Sequence, residues 1–350
     1  MRQGKAKYLF PGNNTPKGFI SRYRDGLKGC SQVYILKGGP GTGKSTLMRK
    51  IGAAMLERGY DVEFWQCSSD NDSIDGVMIP RLSVAVIDGT PPHSMDPRYP
   101  GVIEEIVDLG QHWDRNMLKK KKQEIIALTD EISSHFAKGY EELAGIETLL
   151  EKQKAALHPN EDMLAELNQR MVRDIFRKAD CSRHLFASAV TPRGLISFAE
   201  SLSRCASRRW LVYGAIGCGK EKLLQMLADE AEAKGHYIEI YHHALRPDDI
   251  QLLLIPGLDV SVTDWGEEAP DDTEGYEKVI DCNKLCGENI SCCGKELDEA
   301  VEAAATHLAA AKDAHDKLEK HYQKAMDFDG VDETASVLFN RILALATGNQ

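Results

Sequence analysis

The chain has 350 residues, of which 42% are hydrophobic, so it is long and apolar enough for two domains with their own cores, and wholesale disorder is excluded. The first ten residues, MRQGKAKYLF, lack the apolar run of a secretory signal, and no stretch approaches the ~20 apolar residues of a membrane span. With nine cysteines in that context, we expect a cytoplasmic protein with reduced thiols and no membrane partner.

The formal net charge of −11 is unevenly distributed along the chain. Residues 1–180 contain 26 Lys and Arg against 25 Asp and Glu, whereas residues 181–350 contain 17 against 29. An acidic second half repels the phosphate backbone of nucleic acids over its general surface. We therefore expect no nucleic-acid partner, although a local basic groove in the first half would be compatible with this balance.

The first strong pattern is an apolar strand, QVYILKG, followed by a glycine-rich turn and an amphipathic helix that ends near Gly59. The turn, GGPGTGKS, matches the G-x-x-x-x-G-K-[ST] phosphate-loop pattern in the strand-to-helix context that the pattern requires. Its backbone N–H groups would wrap a phosphate of ATP, Lys44 would bridge the β- and γ-phosphates, and the Ser45 hydroxyl would ligate Mg²⁺. The predicted binding residues are Gly38, Gly39, Pro40, Gly41, Thr42, Gly43, Lys44, Ser45 and Thr46.

A second predicted strand, YDVEFWQC, leads into the acidic segment SSDNDSIDG. Open α/β sheets bind ligands at the carboxyl ends of their strands, so Asp70, Asp72 or Asp75 could polarise a water or an acceptor hydroxyl. Asp70 and Asp72 are therefore candidate catalytic residues, and a solvated polar loop is the alternative. The calcium-loop pattern fails because Ile74 stands where a ligand is required.

The third predicted strand, LSVAVID, ends in Asp88. A carboxylate at this edge of the sheet is typical of the Walker B position, which holds Mg²⁺ directly or through water. We expect Asp88 to be catalytic, as Lys44 is, and to bind Mg²⁺ together with Ser45; a turn or cap aspartate is the alternative. In the proline-rich segment that follows, His93 could relay protons, although a lone loop histidine more often has no such role.

Long helical segments follow in both halves, at about 102–178 and 276–346. They either pack on the sheets or protrude as hairpins that act as lids or bind a protein partner. A run of four lysines, from Lys119 to Lys122, is expected to form a solvated helix face. Coiled-coil-like apolar steps occur in both segments: Ile125, Leu128, Ile132, Phe136, Leu143 and Ile146 in the first, and Leu297, Val301, Ala304, Leu308, Ala311, His315, Leu318 and Tyr322 in the second.

One constant offset relates the two halves of the chain, and it is the offset that matches Lys44 with Lys220. It aligns YLFPGNNTPKGFIS with HLFASAVTPRGLIS, the glycine loop with GAIGCGKE, and IPRLSVAVID with IPGLDVSVTD. One offset kept across about 80 residues predicts a tandem repeat, with modules at 1–180 and 181–350 and a boundary near Asp180. The alternation of apolar strands and helices predicts an α/β fold with two parallel sheets, each followed by a long helical segment.

The second glycine loop departs from the first at the predicted metal ligand. Glu221 replaces Ser45, which removes a hydroxyl for Mg²⁺ and adds a negative charge where phosphates would sit. Ala215 and Ile216 stand in place of a glycine and a proline and narrow the loop. We therefore expect a degenerate copy that binds nucleotide weakly or not at all and that supports or regulates the first module.

Two further features have structural as well as functional interpretations. Arg170 and Arg341 lie in similar helical segments, LNQR and LFNR, and either could act as an arginine finger, although a surface ion pair is favoured. Four cysteines have C-x3-C-x5-C-C spacing, which matches no standard metal pattern, so packing is favoured over metal binding. They are Cys282, Cys286, Cys292 and Cys293.

The segments FPGNNTPKGF, KGGPGTGKST, RGYDVEFWQCSSDNDSIDGV and VIDGTPPHSMDPRYPG together resemble a bacterial family of uncharacterised tandem P-loop NTPases, described as ATPases or nucleotide kinases. The resemblance covers nearly the whole chain. It implies ATP binding at residues 38–46 and supplies no substrate.

Three functions are compatible with these features. The first is an Mg²⁺-dependent ATPase whose hydrolysis moves the helical segments. The second is a nucleotide or small-molecule kinase with the helices as lids, although the sequence lacks an arginine-rich lid. The third is a non-catalytic, nucleotide-sensing scaffold that binds a protein partner.

Overall fold

The computed structural model describes residues 3–91, 94–175, 182–286 and 294–348. The expected boundary near Asp180 lies outside the described residues, as do His93, Cys292 and Cys293. Among the described helices, none combines the length and the apolar character needed to cross a membrane.

Short strands, one medium helix and a long helical segment make up the first half. Its strands are β1 (Ala6–Leu9), β2 (Gly12–Thr15), β3 (Gly18–Ser21), β4 (Gln32–Lys37), β5 (Val62–Gln66), β6 (Ile74–Ile79), β7 (Val84–Asp88) and β8 (Glu104–Asp108). Its helices are α1 (Tyr23–Gly26), α2 (Lys44–Glu57), α3 (Arg115–Lys120), α4 (Lys122–Ala156) and α5 (Glu161–Ile175), with 3₁₀ turns at Pro80–Leu82 and Leu109–His112.

The second half repeats this order of elements, except that no described helix corresponds to α3. Its strands are β9 (Ser182–Phe186), β10 (Ser188–Thr191), β11 (Gly194–Ser197), β12 (Arg208–Tyr213), β13 (Ile238–His242), β14 (Ile250–Ile255), β15 (Val260–Asp264) and β16 (Lys278–Asp281). Its helices are α6 (Ala199–Ser203), α7 (Lys220–Ala233), α8 (Gly294–Gln323) and α9 (Phe328–Gly348), with 3₁₀ turns at Pro256–Leu258 and Cys282–Leu285.

Each half contains a six-stranded sheet of the same topology. The strand order is β1-β5-β6-β7-β4-β8 in the first and β9-β13-β14-β15-β12-β16 in the second. β4, α2, β5, β6 and β7 each recur, at the constant offset of the repeat, as β12, α7, β13, β14 and β15. The expected α/β class, with parallel strand pairs and long helices, is confirmed.

The expectation of purely parallel sheets is wrong, because β6 and β14 run antiparallel to both of their neighbours. The sequence IDGVMI, which follows the acidic segment, forms this extra strand, and all six of its residues are buried. The link from β5 to β6 is residues 67–73, which is too short for the crossover of about a dozen residues that a parallel pair needs.

Apolar residues alternate along the central strands and fill both faces of each sheet. In β4, Tyr34 and Leu36 face the core beneath α2, whereas Val33 and Ile35 face a second core that the first half shares with the second. This shared core includes Trp65 and residues of β9, β13 and β14. Strands that are buried on both faces read as continuous apolar runs, which is the pattern that the sequence shows.

Two hairpins join the halves through a small antiparallel sheet with the order β11-β10-β2-β3. Within it, Asn14 is paired with Val190, and beside it Phe10 and Phe186 form a mutual antiparallel bridge. Both pairs join positions that correspond to each other in the repeat. The two halves are therefore related by an approximate twofold axis that passes between these residues.

The two long helices, α4 and α8, pack against each other along most of their length. Glu124, near the start of α4, lies 3.5 Å from His321, near the end of α8, so the helices are antiparallel. Gly139 lies opposite Leu308 near the middle of the pair. The heptad residues of α8 that this seam and its neighbours bury are Val301, Ala304, Leu308, Ala311 and Leu318.

The terminal helix of each helical segment docks on the opposite half. Leu164 and Met171 of α5 belong to the core beneath α7, whereas Val331 and Leu338 of α9 belong to the core beneath α2. The terminal helices α5 and α9 thus neither pack on the six-stranded sheet of their own half nor protrude freely, and the two halves exchange them. The helical segments also start later than expected, because 104–108 and 278–281 are edge strands beside β4 and β12.

Candidate functional site

The first glycine loop, residues 38–45, connects β4 to α2 at the carboxyl edge of the sheet. Gly41 and Gly43 have φ angles of 69° and 84°, in the left-handed region that glycine adopts without strain. Gly43 immediately precedes α2, whose first N–H groups have no partners within the helix. Backbone donors and the positive end of the helix dipole therefore meet at this loop.

Lys44 is the first residue of α2, and its side chain folds back over the loop. Its Nζ donates to the carbonyl oxygens of Gly38 and Gly39 at 2.9 and 2.8 Å and lies 3.7 Å from Asp88 Oδ2. Asp88 ends β7, the strand next to β4. The structure therefore brings together two of the predicted catalytic residues, Lys44 and Asp88.

The predicted metal ligands, Ser45 and Asp88, lie on adjacent elements at the same edge. Asp88 Oδ1 accepts hydrogen bonds from the N–H and hydroxyl groups of Thr90, at 2.9 and 2.6 Å. Ser45 Oγ accepts one from the Ile74 N–H at 3.0 Å. A hydroxyl and a carboxylate are the hard oxygen donors that Mg²⁺ takes in proteins, so these residues fit the ion chemically.

The other predicted binding residues differ in exposure. Thr42 is buried and donates its hydroxyl to the carbonyl oxygen of Gly39 at 2.9 Å, which tightens the loop. Gly39 and Pro40 are half-buried, and Thr46 is exposed on the first turn of α2.

The structure gives the aspartates of the acidic segment different surroundings. Asp72 is exposed, and both of its carboxylate oxygens accept from Arg193 of the opposite half, at 2.9 and 2.7 Å. Asp75 is buried and accepts from the Tyr23 hydroxyl at 2.9 Å. Asp70 lies 3.4 Å from the ammonium group of a lysine on α8, Lys312.

Helix α8 of the second half covers the first loop. Glu319 Oε1 accepts a hydrogen bond from the Gly41 N–H at 3.1 Å. A Cβ atom on Gly39 would lie 2.8 Å from the ring of Tyr322 and 3.2 Å from that of Trp113, so these rings touch the loop backbone. Sequence reasoning missed this cover, because no local pattern connects residues that are 278 positions apart.

The second loop, residues 214–221, is held by charged side chains of its own half. Lys220 Nζ lies 2.7 Å from Asp264 Oδ1, and both side chains are almost fully buried. Glu221 Oε1 accepts from the Gly217 N–H at 3.3 Å, the same loop position at which Gly41 binds Glu319 in the first half. The expectation that Glu221 places a negative charge inside the loop is thus matched by its geometry.

Arg246 closes this charge network from the segment after β13. Its guanidinium donates to Glu221 Oε1 at 2.6 Å and to Asp264 Oδ2 at 3.0 Å. Burial alone would lower the pKa of Arg246, but the surrounding carboxylates hold it above its usual range. Burial would likewise raise the pKa of Asp264, and the charges of Lys220 and Arg246 instead keep it lowered. The offset of the repeat matches Arg246 with Asp70. This correspondence could have identified Arg246 as a residue at the second loop from the sequence.

The remaining candidates have structural surroundings. Arg341 forms an exposed ion pair with Glu105, as favoured over an arginine finger, and Arg170 is exposed. The four lysines at 119–122 are exposed.

Cys282 is fully buried within the apolar core beneath α7, and Cys286 packs against it. Packing therefore accounts for the two cysteines that the structure describes, and Cys282 begins a 3₁₀ turn.

No protein-family model, curated protein or solved structure matched the chain.

Proposed function

We propose that the chain is an ATP-binding, Mg²⁺-dependent NTPase that hydrolyses ATP at the first loop, with the second loop as a structural or regulatory copy. The observation that carries the proposal is the difference in bonding between the ammonium groups of the two loop lysines. Lys44 Nζ is held by loop carbonyls at 3.7 Å from Asp88, whereas Lys220 Nζ is locked onto Asp264 at 2.7 Å. Lys220 is held in a close, buried ion pair with its carboxylate. Lys44 lies near a carboxylate but is not held by it in this way.

In this proposal, each residue of the first loop has one role. The N–H groups at Gly41, Gly43 and Lys44 bind the β-phosphate, and Lys44 exchanges its carbonyl contacts for phosphate oxygens. Ser45 and Asp88 would hold Mg²⁺, which when bound neutralises phosphate charge. Because Glu319, Tyr322 and Trp113 contact the loop, nucleotide binding also requires helix α8 to shift.

The test is product analysis after incubation of the protein with Mg²⁺ and ATP. Wild type should release free phosphate without an acceptor, Lys44→Ala should release none, and Lys50→Ala should match wild type. Lys50 is a suitable control because it lies on the same helix, in an exposed ion pair with Asp332. Wild-type protein that binds ATP without releasing phosphate would favour the nucleotide-sensing scaffold instead.

A kinase is the second candidate, and a cavity favours it. The cavity has a volume of about 170 Å³ and includes Asn71 of the acidic segment in its lining, together with Gln66, Arg193, Phe10 and Phe198. Its lining offers both polar and apolar side chains to a small acceptor. Phosphorylated product that forms only when a pool of nucleosides and metabolites is added, and that is lost in Asn71→Ala, would replace the ATPase proposal.

A further inference from the structure

In the second half, an arginine bridges the two positions that bind metal in the proposed first site. Ser45 and Asp88 correspond to Glu221 and Asp264 at the constant offset of the repeat. The guanidinium of Arg246 lies 2.6 Å from the first of these carboxylates and 3.0 Å from the second. Arg246 therefore lies between the counterparts of the two residues that would hold a cation at the first loop.

The partner of this arginine stands where an anion would bind. Glu221 Oε1 accepts from the Gly217 N–H, whose counterpart is the Gly41 N–H of the first loop. Backbone N–H groups in such a loop bind phosphate oxygens in nucleotide sites. The Arg246–Glu221 pair thus joins a buried cation to a half-buried anion at the second loop, in the arrangement that a metal ion and a phosphate would have.

We infer that Arg246 fills the cation position of the second loop, and that its counterpart Asp70 faces the divalent cation of the first. The inference rests on the proposed function for its second part. Both residues follow the last residue of their strand, Gln66 or His242, by four positions. Where the second half carries a permanent positive charge, the first carries a carboxylate, which is complementary to a cation supplied from solution.

An independent contact shows that the carboxylate of Asp70 already attracts a cation in this fold. Lys312 of α8 reaches it at 3.4 Å, and two helical turns later Glu319 of the same helix reaches the Gly41 N–H. The covering helix therefore presents a positive group to Asp70 and a negative group to the loop. In a metal–nucleotide complex, the metal ion would face Asp70 and the phosphates would face the loop, in place of Lys312 and Glu319.

The first experiment tests the second loop without nucleotide. Arg246→Ala leaves Glu221 and Asp264 without their shared guanidinium, so its melting temperature should fall, and millimolar Mn²⁺ should restore part of the loss. Arg208→Ala, which breaks an exposed pair with Glu277, should not respond to Mn²⁺. An Arg246→Ala protein that Mn²⁺ stabilises no more than it stabilises wild type would overturn the cation-position assignment.

The second experiment measures Mn²⁺ affinity in the presence of a non-hydrolysable ATP analogue, by electron paramagnetic resonance. Asp70→Asn should weaken Mn²⁺ binding about 10- to 100-fold, the usual range for losing a residue that supports the metal's ligands. Asp130→Asn removes the same charge from an exposed position on α4 and should leave the affinity unchanged.

The outcomes separate the two proposals. Equal Mn²⁺ affinity in Asp70→Asn and wild type would overturn the role of Asp70 and leave the proposed function standing. Failure of wild type itself to bind the Mn²⁺–nucleotide complex would overturn the proposed function, and the Arg246→Ala result would still decide the first part of the inference.

Discussion

The backbone N–H of Gly41 donates to the carboxylate of Glu319, 3.1 Å away and 278 residues later in the chain. The donor belongs to the first glycine loop and the acceptor to a helix of the opposite half. An anion from the protein itself thus lies at the position where the loop would bind phosphate.

Glu319→Gln should tighten binding of Mg²⁺–ATP to the first loop. The substitution removes a negative charge that competes with phosphate for the same donor, and a hydrogen bond to a charged group contributes about 1.5 kcal/mol, so we expect a gain of up to about tenfold in affinity. Titration with a fluorescent ATP analogue measures it. Glu299→Gln, at an exposed position on the same helix, is the control, and equal affinities in both variants would contradict the prediction.

Lys44→Ala and Lys220→Ala should separate activity from stability. Lys44→Ala should abolish turnover with a small change in melting temperature, because its Nζ bonds mainly to loop carbonyl oxygens. Lys220→Ala removes a partner from the buried Asp264, so we expect a loss of about 3 kcal/mol in the free energy of unfolding, with turnover reduced only indirectly. Equal losses of turnover in the two variants would contradict the proposal that only the first loop is catalytic.

A buried charge network between the halves should be important for stability. Arg183 donates to both carboxylate oxygens of Glu63, at 2.9 and 2.7 Å, and Lys7 lies between Glu63 and Glu239. Burial alone would raise the pKa of Glu63, but Arg183 and Lys7 hold it at about 2. Removing one partner from such a network leaves a buried charge without compensation.

We therefore expect Arg183→Met to lower the free energy of unfolding by about 3–5 kcal/mol in urea denaturation. The matched control is Arg193→Met, because Arg193 forms an exposed pair with Asp72 and such pairs contribute less than about 1 kcal/mol. Similar losses of unfolding free energy in the two variants would show that the buried network stabilises the fold no more than an exposed ion pair does.

His242 should make the fold sensitive to mild acid. Burial, the charge of Arg22 and the neighbouring His184 lower the pKa of His242 to about 3, against about 6.5 in the unfolded chain. Between these values the unfolded state binds the proton more tightly, so stability is full above pH 6.5 and falls as the pH drops towards 3. At pH 5 the cost from this residue is about 2 kcal/mol.

His242→Gln should flatten this part of the pH profile. Glutamine is the matched choice because Gln66 occupies the corresponding position in the first half. Urea denaturation at pH 7 and pH 5 should show a smaller loss of stability in the variant than in wild type. Parallel profiles would mean that His242 is protonated equally in the folded and unfolded states.

Local patterns in the sequence predict the elements that hold the loops. The strand-loop-helix pattern around Lys44 and the apolar strand that ends in Asp88 are present, because strong periodicity and glycine spacing act over short distances. The strand Ile74–Ile79 was missed because the acidic residues before it indicated a loop, and only pairing with β5 and β7 makes it a strand.

The exchange of helices could not be predicted in the same way. A heptad seam such as that through Val301 and Leu308 indicates which face of a helix is buried, but not which element covers it. The partner depends on the twofold arrangement of the halves, in which Phe10 pairs with Phe186. Contacts at such sequence distances leave no periodic trace, so the cover of Glu319 over Gly41 also had no local signal.

The exchanged helices have a consequence for how this chain could diverge. If the two halves were separate copies of one subunit, each would depend on meeting its partner, and every change in one loop would appear in both. In a single chain, the tether replaces association by an intramolecular step at an effective concentration of about millimolar. The residues of the second glycine loop can then change, as Glu221 differs from Ser45, while the second half still supplies α9, which covers the apolar face of α2.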